Sequence, residues 1–183
     1  MPNRILEKYK KEIVPALRTQ FGYKNVSSVP KVEKVVINVG MGRAAVNKDT
    51  KFMEKVEADL GKISGQKPSL RKSKKSIAGF KLREGLAVGC AVTLRGPRMY
   101  DFIDRLISLA LPRSRDFQGI PLSSVDSHGN INIGVKEHNI FPEITYESLK
   151  DIFGLEITVV TTARTREEGI ALFRLFGFPL KTS

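Results

Sequence analysis

Apolar and polar residues alternate along four short segments of this chain, and that alternation limits the possible folds more than any other feature. The pattern is clearest in residues 130–136, NINIGVK, where every second residue is apolar. The other three segments are 31–39, 87–95 and 156–162. Strands of a doubly wound parallel sheet are buried on both faces and are almost entirely apolar, unlike these four. The alternation therefore predicts a mainly antiparallel sheet with one apolar face and one polar face.

Helical periodicity marks the segments around these strands. The helical segments are about Arg4 to Gln20 (interrupted by Pro15), 49–64, the stretch after Gly96-Pro97 and the stretch after Thr165. A helix with one apolar stripe buries that stripe against another element, here the apolar face of the sheet. The sequence thus predicts an α+β fold with helices packed on one face of the sheet and a polar opposite face. Residues 1–183 are expected to form a single domain.

Basic residues are in excess and are concentrated in the first two thirds of the chain. The sequence holds 31 Lys and Arg against 19 Asp and Glu, a net charge of +12. Residues 1–129 carry 25 basic and 12 acidic side chains (net +13), whereas residues 130–183 carry 6 and 7 (net −1). Such an excess on a folded protein favours a polyanionic partner. Nucleic acid fits best; the same excess also occurs on membrane-surface proteins, and an acidic protein stays open as the alternative partner.

Residue content disfavours several other classes of function. One Cys and two His cannot form an internal disulfide or complete a four-ligand zinc site. No apolar run approaches the ~20 residues that span a bilayer, and the charged N-terminus MPNRILEKYKKE shows no secretory signal. We therefore expect a cytoplasmic protein that uses no metal and no cofactor and has no membrane partner.

The segment 66–85, QKPSLRKSKKSIAGFKLREG, is the most informative stretch for function. Its central seventeen residues contain seven basic residues and no acidic residue, with Ile77 and Phe80 among them. Mutual repulsion and small residues predict a mobile loop, at about 71–85, that projects from the sheet. Cations beside an exposed aromatic suit RNA, because the cations meet phosphates while the apolar tip packs on bases or sugars. The alternative is a solvated lysine-rich loop without a partner.

Polar strand residues form a second candidate site. By strand parity, the outward polar residues are Lys34, Asn38, Thr93, Arg95, Asn130, Asn132 and Lys136, and the same parity turns Ala91 outward. The alternative is the ordinary solvated face of a half-exposed sheet. Because no aromatic side chain is among them, they fit a structured RNA bound through its backbone and 2′-hydroxyl groups better than a single strand.

An enzyme remains a weaker alternative. Residues 40–45, GMGRAA, match the G-x-G-x-x-A pattern of dinucleotide-binding folds. However, the helical pattern begins only at Asp49, too late for a helix N-terminus to meet a pyrophosphate, and the strands look antiparallel. The triad residue types at 126–128 are adjacent in sequence and are better explained by a turn. Cys90 is predicted to face inward, so no catalytic residue is indicated.

Six stretches of the sequence together resemble the family of bacterial large-subunit ribosomal proteins that bind 5S ribosomal RNA. They are FGYKNVSSVPKVEKVVINVGMG at 21–42, ISGQKPSLRKSKKSIAGFKLREG at 63–85, GCAVTLRGPRMYDFIDRL at 89–106, LPRSRDFQG at 111–119, GVKEHNIFPEI at 134–144 and TTARTREEGIALFRLFGFP at 161–179. They occur in order over nearly the whole chain, and SGQKP, KKSIAGFKLREG and VTLRG are the most specific.

The resemblance implies an α+β fold and a structural, non-enzymatic role in the large ribosomal subunit. In this family the sheet face and adjoining segments hold 5S ribosomal RNA, and the matching positions here are Asn38, Gln66 and Thr93. Strand parity adds Lys34 and Arg95 to this predicted binding surface.

The resemblance also implies further partners. The family's long basic loop reaches the tRNA in the peptidyl site, and family members contact the large-subunit ribosomal RNA and form an intersubunit bridge with a protein of the small-subunit head. The corresponding tRNA-contacting residues here would be Arg71, Lys72, Lys74, Lys75, Ser76, Ile77, Gly79, Phe80 and Lys81. Three positions depart from the usual family pattern: Gln118 and His128 stand where arginine is common, and Ile131 stands where an aromatic is common.

Overall fold

The computed structural model describes residues 3–115, 117–144 and 152–181. Over these ranges the α-helices are α1 (Arg4–Lys8), α2 (Val14–Phe21), α3 (Gly42–Val46), α4 (Thr50–Ser64), α5 (Gly96–Arg105), α6 (Leu111–Arg113) and α7 (Arg166–Phe176). The strands are β1 (Val32–Gly40), β2 (Ser69–Lys72), β3 (Ala87–Leu94), β4 (Ile131–Val135) and β5 (Leu155–Thr161). Each of the four strands predicted from the alternation is present, with ends within one residue of the predicted ones.

The strands form one antiparallel sheet in the order β2-β3-β1-β5-β4. In the first pair, Ser69 lies opposite Ala91 and Lys72 opposite Ala87, with an irregular step after Arg71. The observed α+β class and antiparallel sheet confirm the prediction from the alternating segments. The neighbours β1 and β5 are far apart in sequence, so the sheet depends on long-range pairing that local patterns cannot specify.

The chain divides into two compact units. The first comprises residues 1–35, 94–133 and 158–183, and the second comprises residues 36–93 and 134–157. The first unit contains α1, α2, α5, α6 and α7, whereas the second contains α3, α4 and β2.

The first unit has two helical stretches that each contain a π-helical turn before a proline. The turns are Tyr9–Ile13, between α1 and α2, and Leu106–Ala110, between α5 and α6. Pro15 and Pro112 lie in the first turn of the α-helical segments that follow. Proline has no amide hydrogen, and its ring clashes with the carbonyl four residues earlier, so a wider turn relieves both problems. The predicted interruption at Pro15 is therefore realised as a local widening of a continuing helix.

The second unit is built around α4, the helix predicted over residues 49–64. Asp49 caps its N-terminus by accepting a hydrogen bond from the Phe52 amide at 3.1 Å. Gly65, at φ +67°, ends the helix in the left-handed conformation that glycine adopts without strain. The fully buried residues on its inner face are Val56, Leu60 and Ile63.

Strand β1 follows the predicted parity and β3 departs from it. On β1 the apolar Val35, Ile37 and Val39 are buried, and Asn38 between them is exposed. On β3, the parity predicts that Ala91 faces outward, but Ala91 is only 5% exposed. Strand β3 is an interior strand of the sheet, and the Ala91 methyl group projects little beyond the backbone. The neighbouring strands therefore cover most of its solvent-accessible surface.

The glycine-rich stretch after β1 also differs from its prediction. Helix α3 begins at Gly42, so the prediction that helical structure starts only at Asp49 is wrong. A helix of five residues is too short to show a clear apolar period, which explains why the pattern missed it. The antiparallel sheet still excludes a dinucleotide-binding fold, because that fold requires parallel strands around the first turn.

Candidate nucleic-acid interface

The second unit brings together three of the five residues predicted to bind 5S ribosomal RNA. Asn38 is exposed on β1, and Thr93 is half-buried near the end of β3. Gln66 follows α4 and donates a hydrogen bond from Nε2 to the Thr93 carbonyl oxygen at 3.4 Å. Residues from three distant parts of the sequence therefore contribute to this area, which we call the polar sheet patch (Asn38, Gln66 and Thr93).

The register of β1 and β3 places Asn38 and Thr93 on the same face. The Met41 amide donates to the Val88 carbonyl oxygen at 2.8 Å. Extending this antiparallel register puts Asn38 opposite Ala91, with Thr93 two residues further along β3. Diagonal neighbours of this kind lie about 7–8 Å apart. The buried Ala91 methyl thus forms a flat floor between the two polar side chains, a role that strand parity alone did not reveal.

The loop after α4 holds Gln66 in place. The backbone amide of Gln66 donates a hydrogen bond to the Ser64 hydroxyl at 3.3 Å. That hydroxyl in turn donates to the Leu60 carbonyl oxygen at 2.7 Å. Pro68 is buried, and its Cδ lies 3.7 Å from the position that a Cβ on Gly61 of α4 would occupy. The SGQKP segment is therefore a turn that hydrogen bonds hold at the end of α4, and in this turn the Gln66 side chain reaches β3.

Two polar groups of this patch are available to a ligand. Within the described ranges, neither the Asn38 amide group nor the Thr93 hydroxyl has a hydrogen-bond partner in the protein. Asparagine offers a donor and an acceptor, and threonine offers both in one group. Phosphate oxygens accept hydrogen bonds and ribose 2′-hydroxyls both donate and accept, so the patch matches the chemistry of an RNA backbone.

Lys34 and Arg95 belong to the first unit. Lys34 is half-buried on β1 and makes no ion pair among the described residues. Arg95 follows β3, and its Nη1 lies 3.6 Å from Glu33 Oε1 in a largely exposed contact. Arg95 therefore contacts a neighbour of Lys34 on β1, and both side chains of this pair stay largely exposed. An exposed pair of this kind is weak and can exchange for a phosphate.

The predicted basic loop is an arm with its own hydrogen-bonded backbone, and we call residues 71–85 the basic arm. Beyond the β2–β3 ladder, the Ser73 amide donates to the Leu86 carbonyl oxygen at 2.8 Å. Near the tip, Ile77 and Leu82 exchange two backbone hydrogen bonds of 3.0 and 3.1 Å. Charge repulsion predicts a mobile loop that projects from the sheet. The backbone pairing across the arm uses main-chain groups only and leaves the charged side chains in solvent.

Side chains of the basic arm are almost all exposed. Among the described residues, none of its cations forms an ion pair; these cations are Arg71, Lys72, Lys74, Lys75, Lys81 and Arg83. Ile77 is 45% exposed and Phe80 is 70% exposed, two of the most exposed large apolar residues described. The Ser76 hydroxyl accepts a hydrogen bond from the Glu84 backbone amide at 2.9 Å. Gly79 is open to solvent, because no described atom lies within 4 Å of the position that a Cβ on it would occupy. The arm thus presents uncompensated charge around an uncovered aromatic ring.

The remaining chemistry-bearing residues have structural explanations. The Asp126 carboxylate accepts hydrogen bonds from the His128 and Asn130 amides at 2.9 Å each, which confirms the predicted turn. Burial, aided by the negative charge of Glu57, raises the pKa of the Cys90 thiol to about 11, so this thiol is protonated at neutral pH. In the ranges that the structure describes, no three His, Cys, Asp or Glu side chains are grouped as a metal site requires. No described helix is long and apolar enough to cross a membrane.

Comparison with known proteins identifies the family of this chain. The family model described as "Ribosomal protein L5" matches residues 25–83, and the model that describes the C-terminus of the same ribosomal family matches residues 87–180. Proteins named "Large ribosomal subunit protein uL5" from Streptococcus thermophilus (strain CNRZ 1066), Streptococcus pyogenes serotype M49 and Streptococcus agalactiae serotype Ia are each 54% identical over 179 residues. Each alignment covers 98% of this chain and 98% of the relative.

The fold and these matches define a structural protein of the cytoplasmic ribosome, not an enzyme. More specifically, the chain belongs to the ribosomal protein L5 family. This family membership confirms the resemblance drawn from the six sequence stretches, including SGQKP and VTLRG.

Proposed function

We propose that this structural constituent of the large ribosomal subunit binds 5S ribosomal RNA through the polar sheet patch and helps to attach that RNA to the subunit. The observation that carries the proposal is the pair of groups without a partner in the described protein, the Asn38 amide and the Thr93 hydroxyl, on one face above the Ala91 floor. Hydrogen-bonding groups that the protein leaves unused on an otherwise regular sheet are free to meet ribose and phosphate. Gln66 supports the same surface through its bond to Thr93.

Charge supports a polyanionic partner such as RNA. Lys34 carries a charge that no described residue of the protein pairs, and Arg95 is held only by an exposed contact with Glu33. We propose that both residues contact 5S ribosomal RNA phosphates and that residues 1–183 act together as one ribosomal RNA-binding domain. The patch contains no aromatic residue, which favours a folded RNA met through its backbone over an extended strand met through stacked bases.

The basic arm has a second role in this proposal, contact with the tRNA in the peptidyl site. The residues proposed for this contact are Arg71, Lys72, Lys74, Lys75, Ser76, Ile77, Gly79, Phe80 and Lys81. Two observations support this contact. The arm's cations make no ion pair with any described residue, and the KKSIAGFKLREG stretch resembles the corresponding stretch of the family. Contact with large-subunit ribosomal RNA and an intersubunit bridge with a small-subunit head protein complete the proposal, and these two rest on the resemblance.

Gel-shift titration of the full chain with 5S ribosomal RNA tests the division of labour. The Asn38→Ala variant should bind about three- to ten-fold more weakly, because it loses hydrogen bonds and no structural contact. A variant with residues 74–84 replaced by Asn-Gly should bind normally, since Ser73 and Gly85 already face each other across a 3.0 Å backbone bond. Contact with about six phosphates would give a slope of log affinity against log salt of about −4 to −5. A salt-independent affinity, or equal losses in the two variants, would contradict the proposal.

A further inference from the structure

A groove of about 400 Å³ lies between helix α3 and the tip of the basic arm, within the second unit. Its walls are Gly42, Arg43, Val46 and Asn47 from the helix and its end, and Phe80 and Leu82 from the arm. We call it the arm groove. Its volume falls within the range of about 300–1,000 Å³ that ligand pockets usually occupy. None of the residues on the helix side belongs to the RNA-binding surfaces that the sequence predicted.

The aromatic wall of the arm groove is firmly supported but uncovered. Phe80 is 70% exposed, while its amide donates to the Ile77 carbonyl oxygen at 3.2 Å. Lys81, the next residue, has φ +53°, a left-handed conformation that non-glycine residues adopt only under local constraint. The Ile77–Leu82 pair closes this turn with two hydrogen bonds. A flat aromatic surface is thus held at the arm tip with most of its area open to a ligand.

The helix side of the groove offers unused polar groups. Arg43 and Asn47 line the groove, and within the described ranges neither side chain makes a hydrogen bond or an ion pair. The backbone of this turn is already satisfied, because the Asn47 amide donates to the Arg43 carbonyl oxygen at 3.1 Å. A guanidinium and a carboxamide are therefore available from the helix and its end, while the arm supplies the Phe80 ring.

Charge complementarity identifies the class of occupant. The arm beside the groove carries six cations that pair with no described acidic residue, and Arg43 adds a seventh. This excess favours a polyanion, and a nucleic acid is the polyanion in which every charged repeating unit also carries a flat aromatic group that can stack on a phenylalanine ring. The carboxamide suits the donor and acceptor edge of a base, and the guanidinium suits a phosphate.

We infer that the arm groove takes one unpaired nucleobase of the folded RNA that the basic arm contacts. The base stacks on Phe80, the Asn47 amide meets its edge, and Arg43 meets a neighbouring phosphate. This inference rests on the proposed contact between the arm and RNA, which it deepens by naming the kind of nucleotide and the helix that helps to bind it. A base in a continuous duplex cannot enter, because its faces are covered by its neighbours.

Fluorescence of 2-aminopurine in an RNA hairpin tests this inference with the full chain. One probe carries 2-aminopurine at an unpaired loop position, and a matched probe carries it in the stem. Protein should change the fluorescence of the loop probe and leave that of the stem probe unchanged. Phe80→Leu, which keeps an apolar side chain but loses the ring, should abolish the loop signal and weaken hairpin binding at least about five-fold. Asn47→Ala should reduce the difference in affinity among hairpins with each of the four bases at that position.

The control variant is Leu109→Ala, an exposed apolar position in the first unit, 46% exposed, which should leave the signal intact. A loop signal that survives Phe80→Leu, or a protein that affects stem and loop probes alike, would overturn the groove assignment. The arm–RNA contact itself is judged separately by hairpin affinity after alanine replacement of Lys74 and Lys75. If that affinity is unchanged, the contact and the groove assignment fail together, while 5S ribosomal RNA binding by the polar sheet patch stands on its own measurement.

Discussion

The Gln66 side chain donates a hydrogen bond to the backbone of Thr93 across 27 positions of sequence, at 3.4 Å. The bond uses the Thr93 carbonyl oxygen and leaves its hydroxyl free. Gln66 is therefore partly a structural residue, whereas Asn38 and the Thr93 hydroxyl have no structural task in the described protein. These two kinds of residue are expected to respond differently to substitution.

We predict that Gln66→Ala lowers both stability and RNA affinity, while Asn38→Ala lowers affinity only. Removing the Gln66 side chain deletes a partly buried hydrogen bond, worth about 1 kcal/mol of unfolding free energy. Removing the exposed Asn38 amide deletes no contact with the described protein, so the unfolding midpoint should stay unchanged. Urea denaturation and 5S ribosomal RNA titration of both variants check this. An Asn38→Ala variant as destabilised as Gln66→Ala would show that Asn38 acts through folding instead.

A close approach of two glycines in the first unit gives a prediction on stability alone. A Cβ placed on Gly169, in α7, would lie within 3 Å of three Gly129 backbone atoms. We expect Gly169→Ala to cost about 2–3 kcal/mol and to lower Tm by several degrees, because backbone cannot yield as a side chain can. Gly134→Ala, on β4, is the matched control, since no described atom lies within 4 Å of its Cβ position. Calorimetry of the two variants should separate them clearly, and similar Tm values would contradict the packing described.

Asp126 makes the stability of the first unit depend on pH. Burial acts to raise the pKa of Asp126, but hydrogen bonds from Asn130 and His128 outweigh burial and hold the pKa below its ordinary value. An unfolded Asp has a pKa of about 3.9, so the contribution is complete above that pH and is lost as the pH falls through the folded pKa. We predict that Asp126→Asn costs about 1 kcal/mol at pH 7, a modest value because the group is partly exposed.

Urea denaturation at about pH 7 and about pH 3, on either side of the ordinary carboxyl pKa, checks the Asp126 prediction. The difference between the natural protein and Asp126→Asn should shrink at the lower pH. Glu54→Gln, an exposed position on α4 without a described partner, should change stability little at either pH. A constant difference between the two conditions for Asp126→Asn would show that the carboxylate charge is not involved.

The basic arm should supply salt-dependent binding without supplying stability. Replacing Lys74 and Lys75 with alanine should reduce the slope of log tRNA affinity against log salt by about 1.5, because each lost phosphate contact contributes about 0.7–0.9. Neither lysine has an ion pair in the described protein, so Tm should not change. Replacing two exposed lysines of the first unit, Lys10 and Lys24, is the charge-matched control and should leave the tRNA slope unaltered. Equal slopes for the arm and control variants would count against a specific role of the arm.

Much of the fold could be predicted because its signals are local. Alternation located β1, β3, β4 and β5, and helical periodicity located α4 over residues 49–64. What could not be predicted depends on geometry or distant contacts. The five-residue helix α3 carries too few apolar positions to show a period. Pro15 signalled an interruption, but the sequence did not indicate a π-helical turn as the form that it takes.

The candidate site shows the same division. Strand parity identified Asn38 and Thr93 as outward residues, yet it also turned Ala91 outward, because parity does not include shading by the adjacent strands. The backbone pairing within the basic arm was missed, since charge patterns carry no information on hydrogen bonds between main-chain groups. Asn47 was missed because it gains its position from a short helix that brings it to the arm tip.

The affinity of 5S ribosomal RNA for two variants at one position tests the central claim most directly. Thr93→Val keeps the shape of threonine and removes its hydroxyl, whereas Thr93→Ser keeps the hydroxyl and removes a methyl group. If this hydroxyl contacts RNA, Thr93→Val should bind about three- to ten-fold more weakly and Thr93→Ser should bind nearly as the natural protein does. Equal affinities for the two variants and the natural protein would contradict RNA binding by the polar sheet patch.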